Sequence, residues 1–354
     1  MNGFIQPAIA FAATIVLIIA LRPLAFRYGL TDRPDERKVH KGEMPLIGGI
    51  AIYFAILCAV ALPEFLFDGY EYSRETLAFF AGATQLMSVG VWDDWLGLSP
   101  WLRFVAQIGA GLIMVYGGGI MLVDLGALGL DGSQVTLGML AIPFTVFVTV
   151  GMINAINMCD GLDGLSGNMT LVLLAGLGLA NSFWGTADHL EMHNVVSAAV
   201  AGFLVFNQRS FWRNRAWIFL GDAGSMVLGF TLAWCAVDIT QCYPPIVAPA
   251  AGRWFLAVPV FDTVTMMLRR IARGTSPFQA DSEHLHHLLV RSGFSVSGTI
   301  GLMCLFSAVC CAVGLVSTWL RVPDFAVAAG FLVAGLVYLY VINSAWKKGR
   351  CLGR

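Results

Sequence analysis

The stretch LGMLAIPFTVFVTVGMINAINMCDGLDGL, residues 137–165, carries a long apolar run directly into four polar groups. The run Leu137–Ile156 is long enough to cross a hydrocarbon core of about 30 Å. Asn154, Asn157, Asp160 and Asp163 then follow at a strict three-residue spacing. Residues three apart are neighbours on a helix surface, so the spacing predicts that two amides and two carboxylates face one small volume. A helix cap followed by a glycine turn would also explain part of the pattern. A cap needs one acceptor, however, and polar groups beside a membrane span mark a site.

Working outward, the whole chain has the same character. Of 354 residues, 58% are hydrophobic, only 12% are charged, and 39 are glycine. A soluble domain is about 25% charged, so this composition predicts an all-α polytopic integral membrane protein forming a single domain over 1–354. Apolar runs predict about eleven transmembrane helices: 4–21, 46–67, 76–92, 102–123, 137–156, 169–184, 195–207, 222–237, 246–268, 299–319 and 325–346, the seventh being the shortest. All of the 21 lysines and arginines except Arg74, Arg253 and Arg321 fall on one side of this arrangement. The positive-inside rule then puts the N-terminus outside and the C-terminus in the cytoplasm. Arg22 and Arg27 follow the first span and no basic residue precedes it, which reads as an uncleaved anchor rather than a removable signal peptide.

The eight cysteines form no Cys-x-x-Cys pair and mostly lie inside spans, so they read as small packing residues. A formal charge of −1 predicts no nucleic-acid partner. No internal repeat is visible.

Under this topology the acidic residues gather at the cytoplasmic face. Asp93 and Asp94 end the third span, Asn154 to Asp163 end the fifth, and Asp222 begins the eighth within Phe219-Leu-Gly-Asp-Ala-Gly-Ser225. Asp222 can cap its helix, hold a cation, or do both, and the helix start offers a positive end to anions. The long loop after the ninth span holds His284, His286 and His287, which can donate to phosphate or bind metal. The first inner loop carries Lys38 and His40 and runs into Pro45-Leu-Ile-Gly-Gly49. Arg209, Arg213 and Arg215, interleaved with Phe211, Trp212 and Trp217, have the look of a headgroup anchor. Asp262 lies near the cytoplasmic end of the ninth span with Arg269 seven residues on, and reads as a buried structural pair. Carboxylates and amides converging at one membrane face suit a divalent cation such as Mg²⁺ and a diphosphate, with a phosphate-bearing lipid as the second reactant.

These residues resemble the polyprenyl-phosphate N-acetylhexosamine-1-phosphate transferases of glycosyltransferase family 4. The resemblance rests on Arg37-Lys-Val-His40, Pro45 to Gly49, Val91-Trp-Asp-Asp94, Asn154 to Leu165, Phe219 to Ser225 and His284-Leu-His-His287. It implies an eleven-helix fold, Mg²⁺ or Mn²⁺ dependence, and transfer of GlcNAc 1-phosphate from a UDP-N-acetylhexosamine to undecaprenyl phosphate, with release of UMP, as the first membrane step of a cell-surface polysaccharide. It further implies that Asn157 and Asp222 bind the metal, that Asp93 and Asp94 serve the acceptor side, and that Asp160 and Asp163 line the nucleotide and metal region. Asn154, His284, His286 and His287 would contact substrate, as would Lys38, His40 and Arg103. A homodimer is possible for such a protein.

Two positions depart from the pattern. Trp95 and Ser282 stand where the family commonly has Arg, and Arg103 or Arg291 could supply the missing charge. The rival readings are a phospho-MurNAc-pentapeptide transferase, a GalNAc-, FucNAc- or bacillosamine-type donor, and, in a different class, an ion-coupled transporter. A transporter site lies near the bilayer midplane between repeats, whereas these acids sit at helix ends.

Overall fold

The structure is a computed structural model that describes residues 4–32, 42–66, 73–129, 131–185, 187–209, 213–276 and 283–352. Helix α1 (Ile5–Tyr28) ends at Gly29, whose φ of 70° is the left-handed geometry that a helix C-terminus favours. Two short strands, β1 (Thr31–Asp32) and β2 (Met44–Pro45), pair antiparallel and lead into α2 (Gly48–Leu66). Helix α3 (Arg74–Leu96) starts at Ser73, which accepts from the Thr76 N–H, and stops at Gly97. Helix α4 (Pro100–Leu112) runs into a π-helical turn, Ile113–Gly118. Helices α5 (Ala141–Cys159), α6 (Leu165–Trp184), α7 (Ala187–Asn207) and α8 (Gly221–Gln241) follow. The chain continues with α9 (Pro249–Phe255), α10 (Ala257–Ala272), the short α11 (Leu285–Arg291), α12 (Val296–Trp319) and α13 (Asp324–Leu352).

Among the described residues, six helical segments are long and apolar enough to cross a membrane: Ile5–Tyr28, Gly138–Cys159, Leu165–Trp184, Gly221–Gln241, Val296–Trp319 and Asp324–Lys347. The fold is thus helical and of the polytopic membrane class. Three of the expected span boundaries need correction. The fourth stops at Gly118 instead of 123, because Gly117, Gly118 and Gly119 interrupt the helix and Gly119 takes φ 74°. The seventh is not short: its first turns, Ala187-Asp-His-Leu-Glu191, are helical despite their polarity. The ninth is broken at Leu256 into α9 and α10.

Helix α8 is the hub. It is buried along almost its full length, as a helix apolar on all sides must be. Helices α2, α3 and α5 pack on it. Its contact with α2 is backbone on backbone: a Cβ on Gly49 would lie 2.1 Å from the Gly224 nitrogen. The same corner is tied by hydrogen bonds, with Gly48 and Gly49 N–H donating to the Phe219 and Leu220 carbonyls at 3.0 and 2.8 Å, and Phe219 N–H donating to Pro45 O at 2.8 Å. The loop before α8 is therefore fixed to the start of α2.

Helix α10 is turned inside out relative to a soluble helix. Asp262, Arg269 and Arg270 are buried while Val264, Leu268 and Ile271 are exposed. An apolar surface facing outward and charges facing inward is the arrangement that lipid imposes.

Candidate active site

The end of α3, the start of α4, the end of α5 and the start of α8 meet at one end of the bundle. Asp94 reaches from α3 to the first amides of α8, accepting from Asp222 N–H at 2.8 Å and Ala223 N–H at 3.2 Å. Gly221 makes room for it, since φ is +76° there and a Cβ would lie 2.5 Å from Asp94 Oδ2. The expectation that the α8 N-terminus stands open to an anion is therefore corrected: a protein carboxylate already takes these amides. Asp93 faces the other way, accepting from Leu98 N–H at 2.7 Å and from Arg103 Nη1 at 2.8 Å. The same Arg103 nitrogen is 3.7 Å from Asp222 Oδ2. One guanidinium thus stands between Asp93 and Asp222. Trp95 is exposed at the end of α3, so the cation beside Asp93 comes from α4, and Arg291 instead lies over the Trp346 ring.

Asn157 closes the site from α5. Its Nδ2 donates to Asp222 Oδ1 at 2.5 Å and to Ser225 Oγ at 2.9 Å, which turns the amide oxygen away from both. The four polar groups that follow the fifth span do not share one helix face, because α5 ends at Cys159 and the chain turns before Gly164, at φ 87°, opens α6. Asn154 points to Gln107, donating to Oε1 at 2.6 Å. Asp160 accepts from Ser166 Oγ at 2.5 Å. Asp163 accepts from Arg209 Nε at 2.8 Å and Ala216 N–H at 3.1 Å. Arg209 is consequently not only an interfacial anchor: it holds the acidic turn.

The Asp160 carboxyl is pushed up to about 7 by burial, opposed by the Ser166 hydrogen bond and reinforced by repulsion from Asp222 and Asp163. An acid whose folded pKa is raised stabilises the fold most below its unfolded value of about 3.9 and loses that contribution as pH rises through about 7. Thermal unfolding of the protein in detergent with chelator present should show this component between pH 4 and 8, and Asp160→Asn should flatten it. Equal pH dependence in both proteins would show that Asp160 does not titrate in this window.

The histidines approach from α11. Asp262 does not pair with Arg269 as the sequence led us to expect. Its Oδ2 is 2.7 Å from His284 Nδ1, and its Oδ1 accepts from Leu285 N–H and Tyr338 Oη. Arg269 instead joins Arg273 on Glu283, at 2.5 and 2.6 Å. Sequence spacing within α10 suggested the pair; the partners that won come from elements brought in by the later chain. His286 is fully buried, lies parallel to His284 with ring centroids 5.8 Å apart, and sits 4.0 Å from His287. It packs on the acidic turn, since a Cβ at Gly161 would lie 2.3 Å from its Nε2. Burial, then repulsion from His287 and His284, lowers His286 to about 3, so its ring is neutral at physiological pH. Lys38 and His40, together with Ser282, lie outside the described residues.

Asp222 offers carboxylate oxygens to a hard cation, and Asn157 would add its amide oxygen once the amide is flipped from the Nδ2 contact it makes with Asp222. Among the described residues, no three His, Cys, Asp or Glu side chains are grouped to hold an ion. Such a site fits Mg²⁺, which is commonly bound through one or two carboxylates with phosphates and water completing the shell.

This geometry sits inside the region that matches known proteins. A family model described as glycosyl transferase family 4 matches residues 76–240, which spans Asp93, Asp94, Arg103, Asn157 and Asp222. Over nearly the whole chain, the protein is similar to the undecaprenyl-phosphate alpha-N-acetylglucosaminyl 1-phosphate transferase of Escherichia coli, 32% identical over 345 residues that cover 97% of this chain and 92% of the relative. The protein of the same name from Haemophilus influenzae is 33% identical over 346 residues, covering 98% and 96%. That from Salmonella typhimurium is 33% identical over 347 residues, covering 97% and 92%.

The chain belongs to glycosyl transferase family 4.

The likeness to these relatives runs beyond the matched 76–240 region and takes in α10 to α13.

Proposed function

We propose that the protein transfers GlcNAc 1-phosphate from UDP-GlcNAc to undecaprenyl phosphate at the cytoplasmic face of a bacterial inner membrane. The observation that carries this reading is the clasp of Asn157 on Asp222, with Arg103 and Asp93 beside it and Asp94 behind. It is a cation and phosphate site, built where helix ends meet the headgroup layer. The names of the relatives support the acceptor and the transferred group.

Eleven crossings follow if α4 with its π turn counts as one rod, α9 with α10 as another, and α11 lies in the interface. The ends that carry Asp94, Asn157, Asp222 and His284 then share the face richest in Lys and Arg, which supports a cytoplasmic site.

In the reaction, an oxygen of the lipid phosphate attacks the β-phosphorus of the UDP-sugar. The bond from that phosphorus to the bridging oxygen breaks, and UMP leaves with the electron pair. A phosphate monoester has its second pKa near about 6, so the acceptor is largely dianionic at neutral pH and needs no strong base. Arg103 stabilises charge on the phosphates, Asn157 and Asp222 would hold Mg²⁺ or Mn²⁺, and the half-buried His287 contacts the donor diphosphate, with His284 and His286 buried behind it. A bound divalent ion supplies charge neutralisation on the diphosphate. Positioning and electrostatics account for the catalysis.

The test is UMP release by purified protein in detergent with undecaprenyl phosphate and Mg²⁺, offered UDP-GlcNAc, UDP-GalNAc and UDP-MurNAc-pentapeptide in parallel. Release with UDP-GlcNAc alone is expected. Release with either other donor reassigns the sugar, and silence with all three overturns the reading.

A further inference from the structure

We propose that Gln107 is a positioning residue that, through Asn154, holds Arg103 in place beside Asp222, an inference that rests on the transferase reading and extends it one helical turn below the site. Gln107 follows Arg103 by four residues on α4, Met226 follows Asp222 by four on α8, Asn154 precedes Asn157 by three on α5, and Gly90 precedes Asp94 by four on α3. Helices α4 and α8 start at the site while α3 and α5 end there, so all four steps lead away from it into the bundle, by about one turn or 5.4 Å. Residues so spaced share a helix face. Gly90, Gln107, Asn154 and Met226 therefore form a second tier beneath Asp94, Arg103, Asn157 and Asp222.

Contacts close this tier. Gln107 and Met226 are 3% and 1% exposed. Asn154 Nδ2 donates to Gln107 Oε1 at 2.6 Å and to the Val150 carbonyl at 2.8 Å. A main-chain carbonyl only accepts, so Val150 fixes which way the Asn154 amide points and thereby which atom Gln107 must present to it. Gln107 Nε2 then faces the Met226 thioether at 3.8 Å, a weak acceptor. On α3, Gly90 lets the chain close on α8: a Cβ there would lie 2.3 Å from Ala223 Cα and 2.9 Å from Met226 Cε. Apolar faces leave two helices free to shift along each other, whereas a short hydrogen bond shielded from water sets one register. The register matters because Arg103 Nη1 stands 2.8 Å from Asp93 and 3.7 Å from Asp222. A small displacement of α4 changes which carboxylate holds the guanidinium that meets the phosphates.

Two changes at this tier separate positioning from packing. Gln107→Met keeps the length of the side chain and removes the acceptor. Gln107→Asn draws the amide back by one methylene, and combining it with Asn154→Gln restores the joint length. The purified proteins in detergent are compared by melting temperature, by kcat for UMP release per folded molecule, and by nitrogen NMR of arginine-labelled protein, with Arg103 assigned by the signal lost in Arg103→Lys. Gln107→Met and Gln107→Asn are expected to lower kcat about 10–100-fold, the scale of an ångström-sized misplacement remote from the chemistry, and to shift the Arg103 signal. The double exchange should return both toward wild type. A role in packing alone would lower the melting temperature while leaving kcat per folded molecule and the Arg103 signal unchanged, and that result in Gln107→Met overturns the proposal. A double exchange that melts like the wild type yet keeps the defect of Gln107→Asn overturns it too. If the double exchange does not fold, Gln107→Met decides alone. If the wild type itself transfers from no donor, the transferase reading fails, while the Arg103 signal still decides whether Gln107 positions the guanidinium.

Discussion

Asp222→Asn is expected to cut UMP release by about 10²–10³-fold or more, the range found when one preorganised electrostatic contact is removed from an active site, with no loss of thermal stability. The second half of that outcome comes from the geometry. Asp94 binds the backbone N–H of residue 222, not its side chain. The amide oxygen of an asparagine can still accept from Asn157 Nδ2. What disappears is one negative charge from a place where Asp93 and Asp222 share the Arg103 guanidinium and Asp94 brings a third carboxylate close by. Relieving that repulsion should leave the melting temperature in detergent equal to the wild-type value or above it, as is common where function holds like charges together. Wild-type turnover in this variant would remove Asp222 from the chemistry, and a collapsed melting temperature would assign it to the scaffold.

The second large effect concerns stability alone. Gly49→Ala would put a Cβ 2.1 Å from the Gly224 nitrogen and 2.3 Å from its Cα. The obstacle is main chain, which has no rotamer to change. Helix α2 cannot slide away either, because Gly48 and Gly49 N–H are bonded to Phe219 and Leu220. Overpacking of this kind costs about 1–3 kcal/mol and sometimes more. The variant should melt well below wild type or fail to accumulate in the membrane. Gly151→Ala is the control: nothing lies within 4 Å of its Cβ position on α5. Replacing an unhindered helix glycine should be neutral or stabilise by about 0.5–1 kcal/mol. If both variants melt alike, the α2–α8 contact is looser than described.

How legible was all this in the sequence? The helical membrane class follows from composition, and the gathering of Asn157 and Asp222 at one face from two polar islands at ends of apolar runs, while their grouping as a pair came from the family resemblance. The fate of Asn154, Asp160 and Asp163 was not legible. Three-residue spacing implies one face only while the helix continues, and α5 stops at Cys159. Asp262 was misassigned for a related reason. A lone acid in an apolar span announces that it must have a partner but not which one, and the nearest cation in sequence, Arg269, lost to His284 from another helix. Arg209 was read by the company of its aromatic neighbours, which conceals its bond to Asp163. The neutral His286 against Gly161 had one faint signal, a glycine where a side chain would not fit.

The junction of α2, α3, α5 and α8 has a consequence for biosynthesis. Asp94 waits for a partner 128 positions later in the chain, Asn157 for one 65 positions later. Contacts so distant cannot form when their first member leaves the ribosome. Asp94 of α3 and Asn157 of α5 therefore stay unmatched while the helices up to α7 are made, and only the arrival of α8 makes the nascent chain an enzyme.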